Sequence, residues 1–473
     1  VDMPETEDSK YPTELDLQRI DESIKEKNIE PYQDKVIESP LVSEIPLPTK
    51  IKDYKVHEGV DVMEFKLENG VRVLLKPTDF KNDEILFRAY SPGGTSLATN
   101  EDFMSAKFAA DVVSESGIAE FSSIELDKYL SDKTVSLKPS IGEFYEGLSG
   151  SSSVADVETM FQLIYQHFKS PKIDKDAFNA FIQNWKGMIE NRNASPENVY
   201  RDSIKTVMSK NHFRKRPMTN EILDEIDSDK AFEFYKDRFK DASDFTFIFV
   251  GSIDPNSFMP YILTYLGNLP SINRVENWQD VGIRYPKGNI EKIVNRGIEE
   301  KSSVQLRFTG DFEWNRENRY LIRSMTSAFR IKLREILRED MGGTYGVWVG
   351  GYPRKDPIQN FQSLIVFGCG PDNVYPMVDE VFNQLDTLKN FGIDQSYLEK
   401  VIEADKVEYE KSIKENDFWL GQILIFDQWK EPFSQILEKE DLYKLVTKEN
   451  IRESANKYFN TENVVKAYLF PEK

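Results

Sequence analysis

Cysteine is nearly absent. The chain has one, Cys369, in the strand-like run LIVFGCGP. A disulfide framework within the chain is thereby excluded, as is a cysteine-based zinc site, and the thiol reads as a small buried core residue. Histidine is almost as scarce: His57, His167 and His212 lie far apart, with no HxxxH, HxxEH or HExxH spacing. A helical zinc site needs two ligands one turn apart, so that both side chains converge on the metal. No such pair occurs, and His167, inside MFQLIYQHF, reads as a packed histidine at the edge of a core. GxSxG is missing, as are GxxxxGK[ST] and a strand-linked GxGxxG, so neither a serine-hydrolase elbow nor a phosphate cradle is supported. No run approaches the ~20 apolar residues that span a bilayer. Basic residues are the minority, 61 Lys+Arg against 81 Asp+Glu, a net charge of −20. That balance argues against a nucleic-acid backbone or an anionic membrane as main partner.

What is present is a globular chain of 473 residues, 39% apolar, with 31 Phe and 21 Tyr to build cores. At ~100–200 residues per domain, that length implies two to four units. The chain opens VDMPETEDSKYPTELDL, without an initiator Met or an apolar leader. A processed precursor or an excised piece of something longer is the expectation. Residues 1–50 are acidic, proline-dotted and poor in core residues, with one short amphipathic stretch, LDLQRIDESIKEK, and read as an arm or linker. The basic triplet Arg214-Lys215-Arg216 reads as a solvated loop.

An internal repeat organises the rest. ILFRAY from Ile85 resembles VQLRFTG from Val304, and MFQLIYQHF from Met160 resembles MVDEVFNQL from Met377. KIDKDAF, with Ile173, resembles GIDQSYL, with Ile393, and DKAFEFYKDRF ending at Phe239 resembles ENIRESANKYF ending at Phe459. The four offsets run from 217 to 220 residues. Chance would scatter them, so the chain is divided into an arm, 1–50, and two homologous units, 51–275 and 276–473. Strand-like stretches include VRVLLKP, EILFRAY, FTFIFVG, SVQLRFTG, YGVWVGGY and FQSLIVFG. Between them lie helical patterns such as AFNAFIQNWKGMIEN, in which Phe178, Phe181, Ile182, Trp185 and Ile189 recur at three and four. The fold class is α+β, two sheet-plus-helices units in tandem.

The richest stretch is RYLIRSMTSAFRIKLREILREDMGGTYGVWVGGYP, from Arg319. Ile322, Met325, Phe329, Leu333, Ile336 and Leu337 form the apolar stripe of a long helix, expected to end near Asp340 at a Gly342-Gly343 cap. Tyr345 then opens a strand, with Val347 and Val349 on one face and Trp348 on the other. Arg338 in the last turn and Tyr345 beyond the reversal could face one cleft. The helix dipole alone favours Arg there and Tyr is a common strand residue, so a structural reading stands beside the functional one.

The stretch LREILREDMGGTYGVWV resembles the second-repeat segment of the pitrilysin/insulinase family of zinc metallopeptidases, the inverzincins, which include the mitochondrial processing peptidase. LENGVRVLLKPTDF, the GGTS at Gly93, FTFIFVGSIDP and YLGNLP extend the resemblance over most of residues 55–473. It is strongest to the C-terminal half of the long two-half bacterial members. The family's Arg, six residues, then Tyr corresponds to Arg338 and Tyr345. Its HxxEH has no counterpart: on FMSAKFAADVVSESGIAEF, Lys107, Ala110 and Asp111 stand where His, Glu and His would be. The first unit is thus a degenerate copy, and this chain is expected to bind no metal.

The resemblance implies a division of labour. A partner half, on the same polypeptide or a separate subunit, would hold zinc through two His and a carboxylate, its motif Glu activating water. This chain, inactive alone, would close the chamber over a peptide, with the arm as tether. Tyr345 would donate to the oxyanion and Arg338 would hold substrate, making this half part of a zinc-dependent metalloendopeptidase. A bacterial periplasmic or other exported location is implied. The alternative is a catalytically inactive peptide-binding or scaffold homologue. Substrate preference and oligomeric state are not legible.

Overall fold

The computed structural model describes residues 12–25, 27, 39–344 and 346–472. It divides into two bodies, residues 1–38 and 39–473. In the first, the amphipathic stretch forms helix α1 (Glu14–Lys25), which buries no residue, with the Thr13 hydroxyl accepting from Asp16 N at 3.2 Å. Residues 1–11, 26 and 28–38 lie outside the described residues. Residues 39–50, which the arm reading includes, belong to the larger body: Leu41 and Val42 are buried, and Thr49 N donates to Leu263 O at 3.1 Å.

The larger body opens on β1 (Ile51–His57), β2 (Val62–Leu67), β3 (Arg72–Pro77) and β4 (Ile85–Pro92). Helices α2 (Phe103–Ser116) and α3 (Ser123–Tyr129) precede the hairpin β5 (Val135–Ile141) and β6 (Tyr145–Ser152). Then come α4 (Val157–Lys169), α5 (Lys175–Asn193), α6 (Pro196–Met208), α7 (Asn220–Leu223) and α8 (Ser228–Phe239), followed by β7 (Thr246–Gly251) and α9 (Pro255–Tyr265). The plan then repeats. β8 (Asn289–Asn295), β9 (Ser302–Asp311), α10 (Arg316–Arg334), β10 (Val347–Arg354) and β11 (Asn360–Cys369) lead into α11 (Val374–Phe391). α12 (Gln395–Ser412), α13 (Asn416–Trp429), α14 (Glu440–Lys444), α15 (Lys448–Tyr458) and β12 (Val464–Phe470) complete the chain.

The two sheets match strand for strand. The first runs β1-β2-β3-β7-β4-β6-β5 and the second β10-β11-β9-β12-β8. Removing the β1–β2 extension makes one the counterpart of the other. Each contains one parallel pair, β3 with β7 and β8 with β12. The fold is α+β, built twice.

Each sheet buries one face under its own helices. Phe87, Phe161, Phe247 and Phe249 centre the first core, and Phe308, Phe329, Leu385 and Phe459 the second. The other face is served by the opposite unit. α13 lays Trp419, Leu420, Ile423 and Phe426 on Val62, Leu74, Ile248 and Val250 of the first sheet. Reciprocally, α6 lays Tyr200, Ile204 and Met208 on Val465, Ala467 and Leu469 of β12, and the Tyr200 hydroxyl donates to Ala467 O at 2.8 Å. The exchange makes the units interdependent, since each buried apolar side chain contributes about 1.5–3 kcal/mol.

Candidate functional site

α10 is fixed at its start and shaped at its end. Asn315 caps it, accepting from Asn318 N at 2.7 Å. Arg319 donates to both Glu431 oxygens at 2.7 and 2.6 Å and lies between the Trp314 and Trp429 rings, 4.6 Å from each. Ile322, Met325, Phe329, Leu333 and Leu337 are fully buried. From Glu335 to Asp340 the helix widens into π-type turns, a form common at functional sites. Met341 N reaches Ile336 O at 3.0 Å and Gly343 N reaches Leu337 O at 3.2 Å. Of the expected Gly-Gly cap, only Gly342 takes positive φ, at 61°.

Arg338 sits in those widened turns, solvent-exposed. Tyr345 lies outside the described residues, so only one member of the pair is placed. Its neighbours are fixed: the Thr344 hydroxyl donates to Gly346 O at 3.0 Å and accepts from Gly346 N at 3.2 Å, bracketing position 345. Gly342, Gly343, Thr344 and Gly346 border a cavity of about 1040 Å³, with Ser302 and Cys369 at the sheet ends opposite. Cys369 is buried, and desolvation pushes its thiol up to about 11.

The degenerate helix is α2. Lys107 is half-buried, its Nζ 3.6 Å from Met218 Sδ. Desolvation, then Lys205 and Lys215, push its pKa down to about 8. On the next turn, burial and then Glu115 push the Asp111 carboxyl up. The histidines are engaged elsewhere. His57 Nε2 is 2.8 Å from Glu64 and His212 Nε2 is 3.0 Å from Val281 O. His167 is buried, its Nδ1 3.1 Å from the Tyr235 hydroxyl, and burial pushes it down to about 3. Among the described residues no group of three His, Cys, Asp or Glu converges to hold a metal. An ammonium, a methyl and a lone carboxylate do not fit zinc.

Lys107→Met is therefore expected to raise stability near pH 7, because the charged lysine is disfavoured in the fold. The gain, about 1–3 kcal/mol, should shrink as pH rises from about 8 towards the ordinary lysine range, where the folded protein has already lost that proton. Urea denaturation at pH 7 and pH 10 checks it. An equal gain at both would assign the effect to packing alone.

Two polar clusters escaped sequence reading. At the first, Gly94 N donates to Glu146 Oε2, while Glu146 Oε1 lies 3.9 Å from Arg238, itself paired with Glu276 at 2.6 Å. A Cβ on Gly94, φ 61°, would meet Gly142 O at 2.5 Å. The GGTS motif is thus explained as a turn wrapped on a buried carboxylate. Burial pushes Glu146 up to about 7 and Asp244 nearby to about 6. A folded carboxyl with a raised pKa stabilises below the unfolded value, and that contribution is lost as pH rises through about 7. Glu146→Gln is expected to flatten the stability profile between pH 5 and 8 by about 2 kcal/mol, measured by thermal unfolding across that range. An unchanged slope would contradict the assignment.

The second cluster joins the two units. Arg72 donates from Nε and Nη2 to Glu64 at 2.7 and 3.1 Å, and from Nη1 to Asp427 of α13 at 2.7 Å. Asp427 also accepts from the Tyr90 hydroxyl. No local pattern marks the cluster, because Asp427 is more than 300 positions from Arg72 and Tyr90. The basic triplet corrects the expectation of a solvated loop. Arg214 donates to Thr95 O and Ala98 O at 2.8 and 2.6 Å. Lys215 pairs with Glu143 at 2.8 Å, and Arg216 grips Glu225 at 2.9 and 2.7 Å. Each cation is spent on holding its loop to the body.

The duplicated α+β fold is similar to that of the M16 peptidase family, the pitrilysin/insulinase class. Residues 225–404 match its model for the peptidase M16 inactive domain. Zinc protease PQQL-like of Arabidopsis thaliana is 26% identical over 424 residues, covering 86% of this chain and 42% of that protein. Probable zinc protease PqqL of Haemophilus influenzae is 24% identical over 373 residues, covering 76% and 39%. The periplasmic protease PqqL from Escherichia coli shares the fold, with TM-score 0.80 at 18% identity over 97% of this chain and 51% of that one. The chain thus spans about two fifths of the length of these curated relatives.

Proposed function

We propose that this chain is the C-terminal, non-zinc half of a zinc-dependent metalloendopeptidase, dividing at about residue 275 into a degenerate first unit and a second unit that carries Arg338 and Tyr345. The observation that carries the reading is that Arg338 is exposed on widened helical turns that run into Gly342, Gly343 and Thr344, which border a large cavity. The curated relatives are named zinc proteases and extend well beyond the part matched here, which supports zinc and HxxEH lying on another half, in the same polypeptide or a partner subunit. On this reading the chain alone does not hydrolyse peptides. Its part is to close over the substrate, with the Tyr345 hydroxyl donating to the oxyanion on the scissile carbonyl and Arg338 holding the peptide. An exported location is part of the proposal, as PqqL from Escherichia coli is described as periplasmic.

A photocrosslinking residue at position 338 tests the placement. It should capture a peptide substrate in the presence of the zinc-bearing half, and a probe at Arg201, on α6, should not. Equal capture from both positions, or capture at 338 that is indifferent to the other half, favours the scaffold reading.

A further inference from the structure

β10 is the outermost strand of the second sheet, paired only with β11 among the described residues. A groove of about 750 Å³ runs along it, bounded by α10 on one side. Its floor holds Trp348 and Tyr352, 48% and 42% exposed. The Trp348 indole donates to the Tyr352 hydroxyl at 3.0 Å, which leaves the tyrosine proton available to an acceptor. Arg330 lies 5.0 Å over the Trp348 ring.

The charge of this groove opposes that of the chain. Arg323, Arg330 and Arg354 line it and no acidic side chain does, although acids outnumber bases 81 to 61 in the sequence. Several arginines elsewhere are matched to carboxylates: Arg72, Arg192, Arg216, Arg238 and Arg319 all have ion pairs within 3 Å. Among the described residues none of the three groove arginines has one. Desolvation, and then nearby Arg319, push the Arg323 guanidinium below its ordinary range, with Asp405 acting the other way. An anion arriving there relieves that penalty. Arg307 of β9 extends the surface, standing opposite Leu364, which also lines the groove.

We propose that this groove binds an extended acidic peptide segment, its carboxylates paired with Arg323, Arg330 and Arg354 and its apolar side chains resting on Trp348 and Tyr352. Arg323 and Arg330 are two helical turns apart, about 10.5 Å along the axis. That is the span of about three residues of extended chain, so carboxylates two or four residues apart, which share one face of the segment, come within reach of the two long arginine side chains. Guanidinium–carboxylate pairing suits the planar fork of each partner. A nucleic acid is disfavoured by the −20 charge of the surrounding chain. The inference deepens the peptide-handling reading and rests on it, naming the class of peptide held.

The test is fluorescence anisotropy with the full chain and two labelled twelve-residue peptides, identical except that one has Glu and the other Gln at alternate positions. The Glu peptide should bind at least tenfold tighter, an advantage that falls as salt rises. Arg323→Glu with Arg330→Glu should abolish that advantage while leaving the Gln peptide unchanged. The milder Arg330→Gln with Arg354→Gln should reduce it, and Arg201→Glu on α6 should leave it intact. Equal affinities for the two peptides, or a Glu preference that survives the double reversal in a folded protein, would overturn the proposal. So would displacement of the Glu peptide by oligothymidylate of equal charge. The measurement needs neither zinc nor the other half, so its failure is distinct from failure of the hydrolytic reading.

Discussion

Replacing Tyr345 by phenylalanine is expected to lower kcat of the reconstituted two-half enzyme by about 10²–10³, the usual cost of removing one oxyanion donor. The variant keeps the ring and deletes only the hydroxyl, so packing around the turn is retained. Thr344, hydrogen-bonded to both backbone groups of Gly346, holds the loop in either protein. The loss should therefore appear in kcat, with KM little changed, because the interaction strengthens only as negative charge builds on the carbonyl oxygen. Arg338→Ala is expected to be at least as severe and to raise KM as well, since an exposed guanidinium without an ion pair among the described residues is free to hold substrate. Steady-state kinetics on a quenched peptide separates the two signatures. Near-normal rates for both variants would remove these residues from the site.

Arg72→Met is expected to cost about 3 kcal/mol of stability. Arg72 is the hub of a cluster with Glu64 on the neighbouring strand and Asp427 on α13. Burial alone would raise the Glu64 carboxyl, yet hydrogen bonds from Arg72 and His57 hold it down at about 2. Its contribution is present above the unfolded carboxylate range and lost as pH falls through about 2. Methionine fills much of the volume but leaves the buried Asp427 without its cation and Glu64 with only Lys55 and His57, and removing one partner of a buried pair is the costly change. Because Asp427 belongs to the second unit, the loss should also loosen α13 from the first sheet. Urea unfolding by ellipticity checks the magnitude, and amide exchange in Trp419–Phe426 the location. A loss under about 1 kcal/mol would mean that the Trp419, Leu420, Ile423 and Phe426 contacts hold the units together unaided.

The repeat was legible because homologous elements carry the same buried pattern at nearly one offset, and each of the six strand-like stretches contains a strand, the one in YGVWVGGY being described from Val347. Ile85 and Val304 open the apolar runs of β4 and β9, which hold equivalent places in their sheets. The paired offset also relates α6 to α13, whose first residues Pro196 and Asn416 are 220 apart. What the offset does not show is that each crosses to the other unit's sheet. Helical periodicity marks an apolar face without saying which sheet it covers. The α10 stripe was readable at three and four, but the widening over Glu335–Asp340 was not, since π-type turns have no strong sequence signal. The Arg214 triplet failed as a solvated loop because its carbonyl partners at Thr95 and Ala98 are set by tertiary approach. Arg338 and Tyr345 came from the family spacing, and the physical pattern alone left them beside an ordinary helix end and an ordinary strand start. The groove arginines were invisible for a related reason: Arg323 and Arg330 sit on a charged helix face that looks solvated until β10 is laid alongside.

The most direct measurement of the central claim is cleavage of a quenched fluorescent peptide library by three preparations supplied with zinc: this chain, an HxxEH-bearing half, and the two mixed. The division of labour predicts silence from this chain alone and hydrolysis on mixing, abolished by chelation. Hydrolysis by this chain alone would contradict it, and so would a mixture no more active than the zinc-bearing half by itself.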